Sequence, residues 1–175
     1  MADPKKVYWD SCCWLGLIND EPGKAERCRF VLKEAVLGAY EIWTSTLSLA
    51  EVFKVTAEKE AIKMGVATFP LPPNNDVEFE KFLLQGFLVM VQVDFDIGVD
   101  ARRLLRAHGV LKKPADGIHL ASALQNNVDE LHTFDDKNLI PLSGIVTRQD
   151  GVALTICYPP EPPTRELMGY PETPA

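Results

Sequence analysis

The chain predicts an α/β fold, a three-layer α/β/α arrangement around a central, mainly parallel sheet. Two observations carry that expectation. Short β-rich apolar runs alternate with stretches of helical period, the pattern of repeated β-α units. The composition, 46% hydrophobic against 25% charged over 175 residues, is that of one globular domain. A chain of that size buries about 70% of its unfolded surface in a single core.

Residues 7–10, Val-Tyr-Trp-Asp, read as a short buried strand, and 11–18 as the helix that follows. Asp20-Glu21-Pro22-Gly23 breaks the chain. Over 25–40 the apolar residues Cys28, Val31, Leu32, Ala35, Val36 and Ala39 recur at three and four, one face of a helix. The other side carries Lys24, Arg27, Arg29 and Lys33. Residues 41–45 form the second strand, and Thr46 leads into a helix expected to run through Lys63. A Pro-rich loop over 69–75 precedes a helix at 77–86 and a strand at 87–93. Helices at 97–108 and 116–126, a strand at 130–133 and a last strand within 151–158 complete the pattern. One domain is expected over 1–158. A flexible tail is expected over 159–175, which holds Pro159, Pro160, Pro162, Pro163, Pro171 and Pro174.

Lys plus Arg number 18 against 25 for Asp plus Glu, a net charge of −7, so nucleic acid would have to be met by a local basic rim. The opening Met1-Ala2-Asp3-Pro4-Lys5-Lys6 lacks the apolar core of a secretion signal, and no window of about 20 residues is apolar enough to span a bilayer. No membrane partner and a cytoplasmic location are therefore expected. Cys12, Cys13, Cys28 and Cys157 form no C-x-x-C pair and stand at no ligand spacing to His108, His119 or His132, which argues for free thiols over zinc.

Four acidic residues end or follow apolar runs or head an apolar helix: Asp10, Glu51, Asp116 and Asp135. They lie 41, 65 and 19 residues apart, so only tertiary structure can gather them. Groups collect beyond the carboxyl ends of strands in open α/β sheets, where Asp10 and Asp135 fall and where helices opened by Glu51 and Asp116 would begin. Two carboxylates about 4 Å apart repel by roughly 4 kcal/mol at an effective dielectric near 20, so such a cluster needs protons or a cation. Oxygen-only donors suit Mg²⁺ or Mn²⁺, which supports phosphodiester hydrolysis.

Three of the four acids also have a plainer reading. Ser48-Leu49-Ala50-Glu51 fits a capping box, and Asp116 after Lys113-Pro114-Ala115 suits the first turn of a helix. Asp135 fits a cap on the turn before Asn138, and its neighbour Asp136 fits the same role. Asp10, followed by two cysteines and a tryptophan, lacks such an account. Val91-Gln92-Val93-Asp94-Phe95-Asp96 has the Asp-x-Asp form of haloacid-dehalogenase-type phosphatases. Gly98 stands where that pattern expects Thr or Val, and Asp96 reads better as a helix N-cap. The basic run Arg102, Arg103, Arg106, His108, Lys112 and Lys113 leads to Asp116, either as a solvated helix face or as the place where phosphates are met.

Val7-Tyr8-Trp9-Asp10-Ser11, Ser48-Leu49-Ala50-Glu51-Val52, Ala115-Asp116-Gly117-Ile118-His119-Leu120-Ala121-Ser122-Ala123 and Thr133-Phe134-Asp135 together resemble the acidic motifs of PIN-domain nucleases. The resemblance spans about residues 7–158. It implies a parallel sheet flanked by helices and clustered acids that bind Mg²⁺ or Mn²⁺ to cut RNA. Asp10, Glu51, Asp116 and Asp135, with Asp136 an alternative for the last, would be the acidic set, with Ser11 and Thr133 helping to hold the metal. Arg102, Arg106, Lys112 and Lys113 would contact substrate. Small members resemble VapC toxins, which implies a homodimer blocked by an antitoxin protein. The Pro-rich loop and the tail exceed what a minimal toxin-type domain needs. A catalytically silent scaffold that acts through a protein partner is the alternative.

Overall fold

The computed structural model describes residues 3–53, 55–70 and 74–163. Their elements in chain order are β1 (Lys5–Trp9), α1 (Ser11–Ile18), α2 (Ala25–Val36), β2 (Tyr40–Ser45), α3 (Leu47–Glu51), α4 (Thr56–Lys63), α5 (Asn74–Leu83), β3 (Leu88–Val91), α6 (Phe95–Ala107), α7 (Pro114–Gln125), β4 (Glu130–His132) and β5 (Thr155–Cys157). The sheet order is β3-β2-β1-β4-β5, with every neighbouring pair parallel. The three-layer α/β/α architecture is thus as expected.

The strand order explains where a site can form. The chain grows from β1 through β2 to β3, then returns to place β4 on the other flank of β1. That reversal opens a crevice beyond the carboxyl ends of β1 and β4. Asp10 immediately follows β1, and Thr133 immediately follows β4.

β1 lies at the centre of the sheet, and successive side chains point to opposite faces. Val7 and Trp9 join Cys13, Trp14, Leu17, Cys28, Val31 and Ile42 in one core layer, built against α1 and α2. Tyr8 joins Leu120, Ala123, Leu124, Leu131 and Ile156 in the other, built against α7. Trp9 packs edge-on to Trp14 with ring centroids 4.8 Å apart, an arrangement favoured by the ring quadrupoles. α6 packs closely on α7 at Gly117. A Cβ there would meet the Leu105 side chain at 3.0 Å and the Ala101 carbonyl oxygen at 3.2 Å. Glycine beside Asp116 therefore lets the two helices approach closely.

The expected helix from Thr46 to Lys63 is two helices. α3 ends at Val52, whose φ −89° and ψ 56° leave the helical region, and α4 restarts behind Val55, whose N–H is taken by the Glu58 carboxylate at 3.0 Å. α2 stops four residues early because Gly38 adopts φ 83°, a value open to glycine. Asp94, not Asp96, caps α6, accepting from the Ile97 N–H at 2.9 Å. Asp96 sits within the first turn. This cap role accounts for the Asp-x-Asp segment without phosphatase chemistry.

The expected Pro-rich loop falls partly on residues 71–73, which lie outside the described residues, as do 164–175 of the expected tail. Within the described part of that tail, Arg27 donates to the Pro159 carbonyl at 2.9 Å and pairs with Glu161. No helix among the described residues is long and apolar enough to cross a membrane.

Candidate active site

Asp10 is the N-cap of α1 and is almost wholly buried. Its Oδ1 accepts from the Cys12 and Cys13 N–H groups at 3.1 and 3.2 Å, satisfying donors that a helix start leaves free. Thr133 Oγ1 donates to its Oδ2 at 2.6 Å, and the Cys12 thiol donates to Oδ1 at 2.8 Å. The carboxylate is thereby fixed between the ends of β1 and β4. Thr133 is itself anchored, its N–H on the Cys157 carbonyl at 3.0 Å.

Glu51 does not form the capping box that its spacing to Ser48 suggests. Thr46 is the N-cap of α3, and Ser48 Oγ instead hydrogen-bonds Thr44 Oγ1 at 2.8 Å. Glu51 turns to the crevice, where Oε2 accepts from Ser11 Oγ at 2.5 Å and from His119 Nε2 at 2.7 Å. Burial pushes its carboxyl up, but the His119 and Ser11 hydrogen bonds outweigh burial and leave it below its ordinary value.

Asp116 lies in the first turn of α7, behind Pro114, and is buried. Its Oδ2 is buried without a hydrogen-bond partner among the described residues. Burial pushes this carboxyl above its ordinary value, and the charges of Asp135 and Asp10 push it the same way. Asp135 follows Thr133-Phe134 and does cap the turn before Asn138. Its Oδ1 accepts from the Lys137 and Asn138 N–H groups at 3.1 and 3.0 Å, and its Oδ2 from Asn138 Nδ2 at 2.7 Å. Burial opposes ionisation of Asp135, yet these bonds leave its carboxyl below the ordinary value. Asp136 is held by the Tyr158 hydroxyl, and it is the charge of Asp135 that acts on Asp116.

Asp116 feels the charges of Asp135 and Asp10, and Glu51 is tied to Ser11 beside Asp10 and to His119 on the helix of Asp116, but the compact set of ligand atoms within 4.8 Å of one another, among the described residues, is a different one. That set is Glu130, His132 and Cys157, brought together by the register of β4 on β5. Its chemistry argues for a hydrogen-bonded pair. Trp9 Nε1, which can only donate, faces His132 Nδ1 at 3.3 Å, so the ring proton sits on Nε2 and points to Glu130 Oε2 at 3.0 Å. A ligating histidine instead presents a free lone pair while its other nitrogen donates.

Of the basic residues, Lys113 reaches the acids, its charge acting on Glu51, Asp116 and Asp135 alike. Lys112, Arg102 and Arg106 are exposed, the two arginines along a groove on α6 with Val99 and Arg103. Among the described residues they contact none of the acids. Sequence reasoning missed His119, which stands three residues after Asp116 on the same helical face. The spacing Asp116-x-x-His119 was the available signal. Cys12 and Tyr8 were missed as well, having no motif of their own.

The donor set fits a hard divalent cation. It offers carboxylate oxygens, one of them buried and unpartnered, and burial first, then the charges of Asp135 and Asp10, disfavours the ionised form of Asp116.

The PIN domain family model matches residues 7–140. The chain belongs to the PIN domain family. Solved structures agree on the fold. VapC20 of Mycobacterium tuberculosis, described as a sarcin-ricin-loop-cleaving toxin, superposes with a TM-score of 0.53 at 15% identity over 74% of this chain and 90% of that one. VapBC2 of Rickettsia felis, bound to a promoter DNA fragment, gives 0.55 at 16% over 86% and 98%. DNA-bound VapBC of Salmonella typhimurium gives 0.52 at 16% over 87% and 98%. Among curated protein sequences none matches the chain.

Proposed function

We propose that the protein is a metal-dependent endoribonuclease, the toxin of a toxin-antitoxin pair. The observation that carries this reading is the unpartnered, buried Asp116 oxygen among Asp10, Glu51 and Asp135 at the sheet reversal of a PIN-family chain. The toxin role is supported by the likeness to a toxin that cleaves the sarcin-ricin loop and to chains solved in toxin-antitoxin complexes.

Asp10, Asp116, Asp135 and Glu51 would hold Mg²⁺ or Mn²⁺. Such an ion lowers the pKa of water and offsets charge on phosphate oxygens. The protein's own residues do the rest. Thr133 and the first turn of α1 fix Asp10, and Lys113 meets a backbone phosphate, which positions RNA without reading its sequence. Ser11 and His119 occupy Glu51 Oε2, so Oε1, which accepts no hydrogen bond among the described residues, is the oxygen that would face the ion or a water beside it. Arg102, Arg106 and Lys112 extend the positive surface for the strand. A second copy and an antitoxin are the expected partners, and Val36, Leu37, Phe53 and Phe95 offer them exposed apolar surface.

Purified protein should cut RNA internally in Mg²⁺ or Mn²⁺ and not in EDTA. Asp10→Asn should lower the rate by about 100-fold or more while keeping the fold, consistent with loss of a direct charge-stabilising group. RNA left intact under every metal condition, or equal cleavage by the variant, overturns the proposal. Absence of Mn²⁺ binding in calorimetry would favour the silent scaffold instead.

A further inference from the structure

Histidine 119 lies 3% exposed on α7, and both ring nitrogens have partners drawn from other elements. Nε2 meets Glu51 Oε2 at 2.7 Å and Ser11 Oγ at 3.2 Å. Nδ1 meets the Tyr8 hydroxyl at 2.8 Å, with Ser45 Oγ at 3.5 Å. A carboxylate only accepts, so the ring proton belongs on Nε2. Nδ1 is then an acceptor and the Tyr8 phenol its donor. Tyr8 is fully buried on β1, and burial pushes its phenol well above the ordinary value, which keeps that proton in place. The two rings meet edge to face, centroids 5.8 Å apart.

Glu51 needs such support. It ends a helix of five residues, Leu47–Glu51, and the chain leaves helical geometry at the next residue. Its side chain is 32% exposed, so neither the helix nor packing alone selects one rotamer. Ser11 on α1 and His119 on α7 approach the same oxygen from different elements.

We propose that His119, locked by Tyr8 with its proton on Nε2, is a positioning residue that fixes Glu51 and leaves Oε1 as its working oxygen. The inference rests on the nuclease reading above. It adds a chain of Tyr8, His119 and Glu51 running from the central strand to the acids. Nothing in the chain needs His119 to touch metal or RNA.

The test separates positioning from packing. His119→Ala should lower Mn²⁺ affinity and kcat about 10-fold or more with KM for RNA unchanged, the range seen for groups that orient ligands from behind. His119→Gln, whose amide can still donate from a similar position, should recover most of that loss. In a Glu51→Ala background, His119→Ala should add little, because its effect passes through Glu51. Tyr8→Phe keeps the ring and the fold. It should turn the single Nε2–H pattern of His119 in ¹⁵N spectra of the metal-free protein into a mixture. Full additivity in the double variant, or no rescue by Gln, overturns the inference. An unchanged ¹⁵N pattern in Tyr8→Phe does so too. If the unmutated protein neither binds Mn²⁺ nor cuts RNA, the nuclease reading fails instead, and the ¹⁵N result still reports on the chain by itself.

Discussion

Two histidine–glutamate pairs flank β1 and differ in what else faces the glutamate. Tyr8 and Trp9 are adjacent and point to opposite faces of the sheet. Each donates to the Nδ1 of a buried histidine whose Nε2–H reaches a glutamate, His119 to Glu51 and His132 to Glu130. Glu130 is closed on both oxygens, with Oε2 on His132 and Oε1 on Lys5 at 2.6 Å. Among the described residues Glu51 accepts hydrogen bonds on Oε2 alone, leaving Oε1 without one. On β4 the pair is held to β1 at both ends, by Trp9 and by Lys5, while the pair of His119 and Glu51 supports the charged crevice. Whether an oxygen remains free decides which role a pair takes.

The largest expected effect tests the pair on β4. His132→Ala removes a fully buried ring and strips Trp9 Nε1 of its acceptor, so urea unfolding should show a loss of about 2–4 kcal/mol. His119→Ala should cost about 1–2 kcal/mol less, because Ser45 and Ser122 remain beside the Tyr8 hydroxyl and Ser11 remains on Glu51. Equal losses at the two positions would erase the distinction.

A pH series sharpens it. The His132 hydrogen bond, helped by Lys5, pulls the Glu130 carboxyl from an ordinary 4.5 down to about 2. A depressed value means stabilisation that is complete above pH 4.5 and is lost as pH falls toward 2. The stability of the protein minus that of Glu130→Gln should therefore shrink by on the order of 2 kcal/mol between those limits. Glu51 shifts in the same direction, so Glu51→Gln should show the same sign with a smaller amplitude, its side chain being more exposed. A flat difference for Glu130→Gln would mean that its closed pair contributes nothing specific.

How much of this was visible in the sequence follows from the range of each interaction. The strands and their ends could be read because apolar runs such as Val7-Tyr8-Trp9 are local, and so Asp10, Glu51, Asp116 and Asp135 could be singled out. The partner of Glu51 could not, since His119 lies 68 residues away and meets it only through the packing of α3 on α7. The local rule pointed instead to a capping box that the fold does not use. Asp94 and Asp96 both suit a helix start, and the choice between them depends on where the first turn begins in space. Glu130 and His132 share one face of β4 by their spacing of two, but Cys157 joins them only through the register of β4 on β5, which no spacing encodes.

The smallest effect is the most telling about the crevice, because its sign is opposite to that of an ordinary carboxylate. Burial first, then Asp135, holds the Asp116 carboxyl above its usual value, so its ionised form costs stability. A raised value gives stability that is fully present at low pH and lost as pH rises through the folded value. Asp116→Asn should therefore raise Tm in EDTA at pH 7 by about 2–4 °C, the equivalent of roughly 1 kcal/mol for a chain of this size. The gain should vanish near pH 3, where the carboxyl is neutral in both states. Millimolar Mn²⁺ should reverse the order, since an ion bound only by the folded protein stabilises it in proportion to affinity, and the variant lacks the free oxygen. A variant that melts lower than the parent in EDTA would show that Asp116 is stabilised by its surroundings, and the crevice would then lack the charge excess that calls for a cation.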